Sequence, residues 1–492
     1  MNGHDVPSSS RGPLRRASIR GATYLIGSSL GTKLCTVGTQ IVLGWLLSEK
    51  DFAVYGIAIS LTVITSALTD GGVQKYLRQQ PDRYDELVGP TTVLATILAV
   101  FAALVVAALG LASGEIYQDE RIRPVALCLA AGLLLTPPAV IARSRFAVDL
   151  RFRDQALIDT GGSVARSLLM VGFAWIGLGP LALALPIPIV NLMQGIAMCA
   201  WGGLRGFNLR GVDYQSLRSV LLHTRWIMLA AACGTIVARG DYLVLGLFAS
   251  GIVGTYFFGF QISASTMQVA TMSAASVLLP TLSRLAADPK RLSGGVEQAM
   301  RMAALLIAPS SALLFLVMPF VIHTLWQGRW DDAIPVAEAV AISTAIAGLG
   351  LIAGTGIEAS GGWRTKSLLS LADGLSLIAV LVVVAERFSE SLVAISLAVV
   401  LQRSLFGLLN VAMCGRRLGV GIGAALGWIR GPTLVAAVGC VLAVAIGSLL
   451  GGSESPLVAL TRATIFTAVF VAILHRRLRS AIADLRQLRS SN

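Results

Sequence analysis

Several charged residues lie inside long apolar stretches of this chain, where a side chain normally finds no water. The cations are Lys33, Arg166, Arg239 and Arg403, and the carboxylates are Asp241 and Asp373. A charge at the middle of a bilayer costs about 2.5–3.5 kcal/mol, so such a residue usually faces a bundle interior or a watery cavity. Because the cations outnumber the carboxylates, we expect the excess positive charge to be satisfied by water or by an anionic substrate.

Two of these charges occur in the stretch GTIVARGDYLVLGLF, residues 234–248. Two residues apart on a helix, Arg239 and Asp241 point to opposite sides and need separate partners. An alternative interpretation is that buried arginines and carboxylates neutralise each other across helices. Asp241 and Asp373, with Asp70 near the end of another apolar stretch, are therefore candidates for either ion coupling or structural pairing.

Polar side chains also recur at helical spacing, which predicts polar faces that line a shared cavity. These stripes comprise Ser29, Lys33, Thr36 and Gln40, then Thr62 and Ser66, and finally Gln261, Ser265 and Gln268. The alternative is that they are packing surfaces, because Ser and Thr are common between helices in bilayers.

The composition indicates which kind of structural element carries these charged and polar residues. Hydrophobic residues make up 55% of the chain and charged residues 13%. In a soluble domain, about 45–50% of the residues are hydrophobic and about 25% are charged. Apolar runs long enough to span a hydrocarbon core of about 30 Å recur from end to end. The sequence therefore predicts an all-α polytopic membrane protein, and the net charge of +13 is explained by basic cytoplasmic loops rather than by nucleic acid.

We predict about 14 transmembrane helices. They lie at roughly 21–47, 52–70, 88–112, 122–142, 157–177, 180–202, 226–249, 252–280, 299–323, 333–357, 367–385, 390–413, 431–451 and 457–474. Basic residues concentrate in the even-numbered connections, for example residues 143–153 and 205–225, while the odd-numbered connections lean acidic. This asymmetry predicts that both termini are cytoplasmic.

An internal repeat underlies this topology. The stretch IVLGWLLSEKDFAVYGIAIS (41–60) is similar to LVLGLFASGIVGTYFFGFQIS (243–263), six spans later. An even number of spans keeps both copies in the same orientation, which predicts two parallel six-helix lobes around a central cationic cavity. The predicted domains are a basic cytoplasmic N-terminus (1–20), an N-lobe (21–202), a cytoplasmic amphipathic linker (203–225), a C-lobe (226–413), two extra C-terminal helices (414–474) and a cytoplasmic amphipathic tail (475–492).

The sequence does not support catalysis. The six cysteines are scattered singly and the four histidines form no ligand pattern, so no metal site is predicted. No phosphate-binding loop is present, and the predicted outside loops are too short to hold the acid and base groups of a membrane glycosyltransferase or polymerase. We therefore expect no enzyme activity and no cofactor.

The stretch LGWLLSEKDFAVYGIAISLTVITSALTDGGVQKYLRQ (43–79) resembles the start of oligosaccharide flippases of the MOP superfamily, the type described as polysaccharide biosynthesis proteins. The matching features are Asp51-Phe52, Tyr55-Gly56 and Asp70-Gly71-Gly72, whereas Ala53 replaces the usual glycine. The stretch ARGDYLVLG (238–246) resembles the seventh span of that family.

The resemblance implies transport by alternating access of a polyprenyl-diphosphate-linked oligosaccharide from the inner to the outer leaflet of a bacterial cytoplasmic membrane. Such transport serves the biosynthesis of O-antigen lipopolysaccharide, capsule or exopolysaccharide. The implied partners are this lipid-linked substrate, membrane lipids, and a polysaccharide polymerase or chain-length regulator. The alternatives are a lipid II flippase and, disfavoured by the cationic excess, a multidrug/cation antiporter of the same superfamily.

Overall fold

The computed structural model describes residues 31–62, 83–203, 212–267, 288–449 and 455–490, together with Gly27, Thr65, Tyr76 and Leu77. Every regular element within these residues is helical. Nine helical segments of the described residues are long and apolar enough to cross a membrane, and two of them consist of consecutive shorter α-helices. The prediction of an all-α polytopic membrane protein is therefore confirmed, and the count of 14 spans stays a prediction.

The helices are numbered in chain order. They are α1 (31–46), α2 (Glu49–Leu61), α3 (Tyr84–Ile116), α4 (Ile122–Leu134), α5 (Thr136–Val148), α6 (Phe152–Trp175), α7 (Leu181–Ala184), α8 (Pro186–Met198), α9 (Tyr214–Phe248), α10 (253–267), α11 (Pro289–Trp326), α12 (Ile334–Ala359), α13 (Trp363–Arg387), α14 (Leu392–Arg417), α15 (Ile422–Ser448) and α16 (Pro456–Ser490).

The chain divides into two compact units. The first consists of Met1–Phe258 and Trp363–Glu390, and the second of Gly259–Gly362 and Ser391–Asn492. Helix α13 belongs to the first unit because it packs along α9, where a Cβ atom added at Gly374 would lie 3.1 Å from the Ile236 side chain. The two predicted lobes stay a prediction, since these units follow helix packing rather than the repeat.

Prolines explain why two of the spans are divided into shorter helices. Helix α5 carries a proline in its first turn, directly after α4, and α8 begins at Pro186, directly after α7. Proline lacks the amide hydrogen and clashes with the preceding turn, so it starts a helix more readily than it continues one.

Side-chain caps fix where two other helices begin. Ser48 and Asp51 form a capping box at the start of α2, and Asp213 and Ser216 form another at the start of α9. Helix α9 then runs without interruption to Phe248, so the described part of the predicted linker and the seventh span share one helix. The predicted tail is likewise continuous with the last span, because α16 extends from Pro456 to Ser490.

Small residues bring the helices into close contact, as is common in membranes. In the first unit, a Cβ atom at Gly110 on α3 would lie 2.3 Å from the Ala126 Cβ on α4. In the second unit, a Cβ atom at Gly350 on α12 would lie 2.7 Å from the Gly407 Cα on α14. Larger side chains at these positions would force the helices apart.

The repeated motif contributes a similar contact at the start of α10. A Cβ atom at Gly254 would lie 2.1 Å from the Glu49 carbonyl oxygen and 3.1 Å from the Ala53 amide nitrogen, both on the α2 backbone. Gly56 on α2 faces Val253, and the Phe52 ring packs edge-on against Phe258 at 5.6 Å between centroids. The start of α2 and the start of α10 are thus packed backbone to backbone.

Candidate cationic site in the first unit

Arg166 lies half-buried on α6, facing α8. Its Nη2 atom donates to the Asn191 side-chain oxygen at 3.4 Å, and the Asn191 side-chain nitrogen donates to the Gly132 carbonyl at 3.0 Å. The second bond fixes the amide so that its oxygen is turned toward the cation. The Arg166 Nε atom is buried and has no hydrogen-bond partner. Asn191 is neutral, so the hydrogen bond that it accepts does not compensate the charge of Arg166.

Arg143 on α5 is compensated more fully. Its guanidinium donates to Asp159 on α6 at 2.9 and 3.2 Å, and to the Gln194 side-chain oxygen on α8 at 3.4 Å. Gly162 permits this arrangement, since a Cβ atom there would lie 2.1 Å from the Gln194 Nε2 atom. The Arg143 charge is paired with a carboxylate, whereas that of Arg166 is not.

Arg239 approaches the same region from α9. Its side chain is exposed and, in the part of the chain that the structure describes, it forms no ion pair within 4.0 Å. Both Arg239 and Arg166 interact electrostatically with the Tyr55 hydroxyl, which is buried on α2. Arg166 and Arg239, two predicted substrate-binding cations, therefore both lie within electrostatic range of this buried tyrosine.

Asp241 occupies a different environment from its neighbour Arg239. It is fully buried and accepts a hydrogen bond of 2.8 Å from the Tyr256 hydroxyl at the start of α10. The Tyr242 amide also donates to the Asp241 carboxylate, at 3.1 Å. The bond from Tyr256 joins α9 to α10. The predicted pairing of Asp241 with an arginine stays a prediction.

Asp373 lies half-buried on α13, one residue before the glycine that contacts α9. Its backbone carbonyl accepts a hydrogen bond of 2.9 Å from the Ser376 hydroxyl. Neither Asp373 nor Asp241 lies within 4.0 Å of the Arg239 guanidinium. The structure thus separates Arg239 from both carboxylates that the structural interpretation offered as its partners.

The polar stripe on α1 is described from residue 31 onward. Lys33 and Thr36 are half-buried, and Gln40 is buried. The Thr36 hydroxyl donates to the Thr32 carbonyl at 2.9 Å, and the Thr62 hydroxyl after α2 donates to the Ile59 carbonyl at 2.6 Å. The hydrogens of these two hydroxyls are therefore donated to the local backbone. Ser29, Ser66, Asp70 and Gln268 lie outside the described residues.

The second unit holds the remaining candidates. The Arg403 guanidinium on α14 lies over the Phe260 ring at 5.1 Å from its centroid, a cation–π contact. Gln261 is half-buried and Ser265 is 4% exposed on α10.

Tyr55, Asn191 and Gln194 were not among the site residues predicted from the sequence. The two amides, three residues apart in the apolar sixth span, were nevertheless a visible signal.

The described residues contain no group of three or more His, Cys, Asp or Glu side chains that could hold a metal ion. The first unit offers the guanidinium groups of Arg166 and Arg239, and the Asn191 amide oxygen accepts a hydrogen bond from the first of them. Arginine is well suited to phosphate, because its planar fork donates two parallel hydrogen bonds.

A sequence profile of the polysaccharide biosynthesis protein family matches residues 42–335, more than half of the chain. Among curated proteins, no sequence match is found. Solved structures are similar in fold. The lipid II flippase MurJ in an inward closed conformation is 10% identical, with a TM-score of 0.72 over 92% of this chain and 98% of that one.

Two further structures show the same fold at lower similarity. A MOP superfamily transporter from Pyrococcus furiosus is 13% identical, with a TM-score of 0.57 over 81% of this chain and 95% of its own. A MATE transporter of Vibrio cholerae is 15% identical, with a TM-score of 0.57 over 84% and 98%.

Proposed function

Because this chain belongs to the polysaccharide biosynthesis protein family, we propose that it moves a polyprenyl-diphosphate-linked oligosaccharide from the inner to the outer leaflet of the cytoplasmic membrane. The family match and the shared fold confirm the resemblance to MOP-superfamily flippases that was predicted from residues 43–79. The finer points, namely the diphosphate-linked substrate, the direction of movement and the role in surface polysaccharide biosynthesis, belong to this proposal.

The observation that carries the proposal is that Arg166 and Arg239, both within electrostatic range of Tyr55, have no carboxylate partner among the described residues. Arg166 has a buried Nε atom without a partner, and Arg239 has no ion pair among the described residues. A diphosphate offers several acceptor oxygens and negative charge, which suit guanidinium groups that lack a carboxylate partner. A soft organic cation would be repelled by the same pair, which argues against the antiporter alternative.

The proposal also assigns a role to the neighbouring polar groups. Asn191 and Gln194 present side-chain amides beside the cations, and such groups exchange hydrogen bonds with sugar hydroxyls. Asp241 is assigned to structure rather than to substrate, because it is fully buried and held by Tyr256. Lys33 and Arg403 stay predicted substrate-binding cations of the transport path.

A leaflet assignment in cells tests this function. Cells that lack the protein should still make the lipid-linked glycan but retain it in the inner leaflet, where an impermeant glycan-modifying reagent cannot reach it. If the glycan is not made at all, the protein acts in synthesis and the proposal fails. If the retained glycan is the peptidoglycan precursor, the lipid II alternative replaces the polysaccharide substrate.

The Arg239 variants connect this test to the site. Arg239→Ala should abolish transport while leaving membrane abundance near wild type, because no described carboxylate would lose its partner. Arg239→Lys should keep part of the activity, since a point charge still attracts phosphate but lacks the bidentate fork. Rescue of Arg239→Ala transport by Asp373→Ala or Asp241→Ala would show a structural pair and overturn the assignment.

A further inference from the structure

An apolar groove opens on the second unit between α11, α12 and α15. It has a volume of about 640 Å³ and is lined among others by Ser311, Phe315, Ile342, Thr433 and Val441. The hydroxyl hydrogens of Ser311 and Thr433 are donated to the Ala341 and Ile429 carbonyls, so the lining presents apolar atoms. Ile342 is 40% exposed and Val441 67% exposed, so the groove is accessible from the bilayer. Its volume lies within the range of pockets that hold small amphiphilic ligands.

One end of this groove carries two opposite charges. Glu338 lies one helical turn before the lining residue Ile342 on α12, and Arg462 on α16 packs against Gly447, two residues after the lining residue Ala445 on α15. No ion pair within 4.0 Å joins Glu338 to Arg462 in the described part of the chain. The two opposite charges near this end of the groove are therefore not paired with each other.

The arginine is held in place without being satisfied. Arg462 is 8% exposed, and its Nε atom is buried with no hydrogen-bond partner. It packs against Gly447 on α15, where a Cβ atom would lie 2.4 Å from Nε, so any larger residue would displace the guanidinium. A nearly buried guanidinium without a carboxylate partner is costly in a membrane unless an anion compensates its charge.

The combination selects one class of ligand. An apolar groove binds a hydrocarbon chain, a guanidinium binds a phosphate, and a nearby carboxylate binds an ammonium group. We propose that this groove binds a membrane phospholipid with a zwitterionic phosphoethanolamine headgroup, its acyl chain in the groove, its phosphate on Arg462 and its ammonium on Glu338. The proposed transport substrate has a diphosphate and no ammonium, so it does not explain Glu338.

The depth of the charges agrees with this ligand. Glu338 is near the start of α12, Gly447 near the end of α15 and Arg462 near the start of α16. All three lie at one end of their helices, which the loop charges predict to be extracytoplasmic, at the level of the outer-leaflet headgroups. The bound lipid would tie α15 and α16 to α12 through its headgroup. This site goes beyond the proposed transport function and does not depend on it.

The test measures which phospholipids the purified full-length protein retains. The protein is exchanged into mixed micelles that contain equal amounts of phosphatidylethanolamine and phosphatidylglycerol, and the lipids retained on folded protein are quantified by native mass spectrometry. Wild type should retain phosphatidylethanolamine in preference. Arg462→Gln should lower the occupancy of both lipids by about fivefold, the effect of one basic contact near an anionic headgroup.

Glu338→Gln is the deciding variant. It should keep the total occupancy but shift the preference toward phosphatidylglycerol, because Arg462 remains and the ammonium has lost its partner. Arg430→Gln changes an exposed cation near the other end of α15 and should leave both the occupancy and the ratio unchanged. Since the ratio is read only from folded protein, unfolding cannot imitate the shift.

Two results would overturn the proposal. One is a wild-type ratio in Glu338→Gln together with wild-type occupancy in Arg462→Gln. The other is retention of a polyprenyl lipid at this groove in place of a phospholipid, seen as its loss on Ala437→Phe, which would fill the groove without touching either charge.

Discussion

The contact between Gly254 on α10 and the backbone of α2 can be probed by adding one methyl group. A Cβ atom at Gly254 would lie 2.1 Å from the Glu49 carbonyl oxygen, and backbone atoms cannot turn away as a side chain can. Gly254→Ala should therefore force α2 and α10 apart and destabilise the protein by about 1–3 kcal/mol, the usual cost of overpacking.

Two matched glycine variants serve as controls, because a Cβ atom would be less crowded at their positions. A Cβ atom at Gly56 would lie 3.2 Å from a Val253 side-chain methyl, and nothing lies within 4 Å of one at Gly251. Gly56→Ala should therefore cost less than Gly254→Ala, and Gly251→Ala should change stability by no more than about 0.5 kcal/mol. Reversible unfolding by SDS in mixed micelles measures all three. Equal effects at Gly254 and Gly251 would refute the backbone contact between α2 and α10.

Three further predictions follow from individual contacts. Tyr256→Phe removes a donor to the buried Asp241 carboxylate and should cost about 1.5–3 kcal/mol in the same unfolding assay, whereas no loss would place the carboxylate in contact with water. Gly162→Ala should displace the Gln194 amide from Arg143 and slow transport without lowering membrane abundance; normal transport would show that this amide is dispensable. The hydrogen bond from Arg121, together with its charge, holds the pKa of Asp119 below its usual value, so the Asp119 contribution to stability should be present at neutral pH and lost as the pH falls through that lowered pKa. Thermal unfolding across pH should show that the stabilities of wild type and Asp119→Asn become equal only at that acid end. At higher pH the wild type should be more stable by about 1 kcal/mol or less. Equal stabilities at neutral pH would contradict the assignment.

The sequence predicted those features that depend on local pattern. Apolar length predicted the membrane helices, and the repeat predicted that each copy continues after a short turn with a tyrosine followed by a glycine, as Tyr55-Gly56 and as Tyr256-Phe257-Phe258-Gly259. The structure gives these two glycines different neighbours: Gly56 faces Val253, and Gly259 faces the Ala333 carbonyl. The glycines of the two repeat copies thus have different contacts, because the repeat specifies where a helix begins and not the surface against which that helix packs.

The candidate site was only partly predictable for the same reason. Arg166 and Arg239 stood out as charges in apolar segments, but their common proximity to Tyr55 depends on how α6, α9 and α2 pack. Asn191 acquires its role from a hydrogen bond to Gly132 on another helix. Arg239 and Asp241 looked like one feature in the sequence, yet Asp241 is fully buried and Arg239 is exposed. Their separation follows from helix geometry, whereas their different partners follow from tertiary packing.

The central claim is that Arg166 and Arg239 bind the diphosphate of a lipid-linked glycan during its movement between leaflets. Proteoliposomes that contain purified protein and a polyprenyl-diphosphate-linked oligosaccharide test it directly, with an impermeant oxidant reporting the glycan that reaches the accessible leaflet. Wild type and the control Arg430→Gln should move the glycan faster than protein-free liposomes, and Arg166→Gln combined with Arg239→Gln should be at least about tenfold slower, since each lost charge-assisted hydrogen bond is worth about 1.5–3 kcal/mol. Transport by the double variant at the wild-type rate would contradict the account.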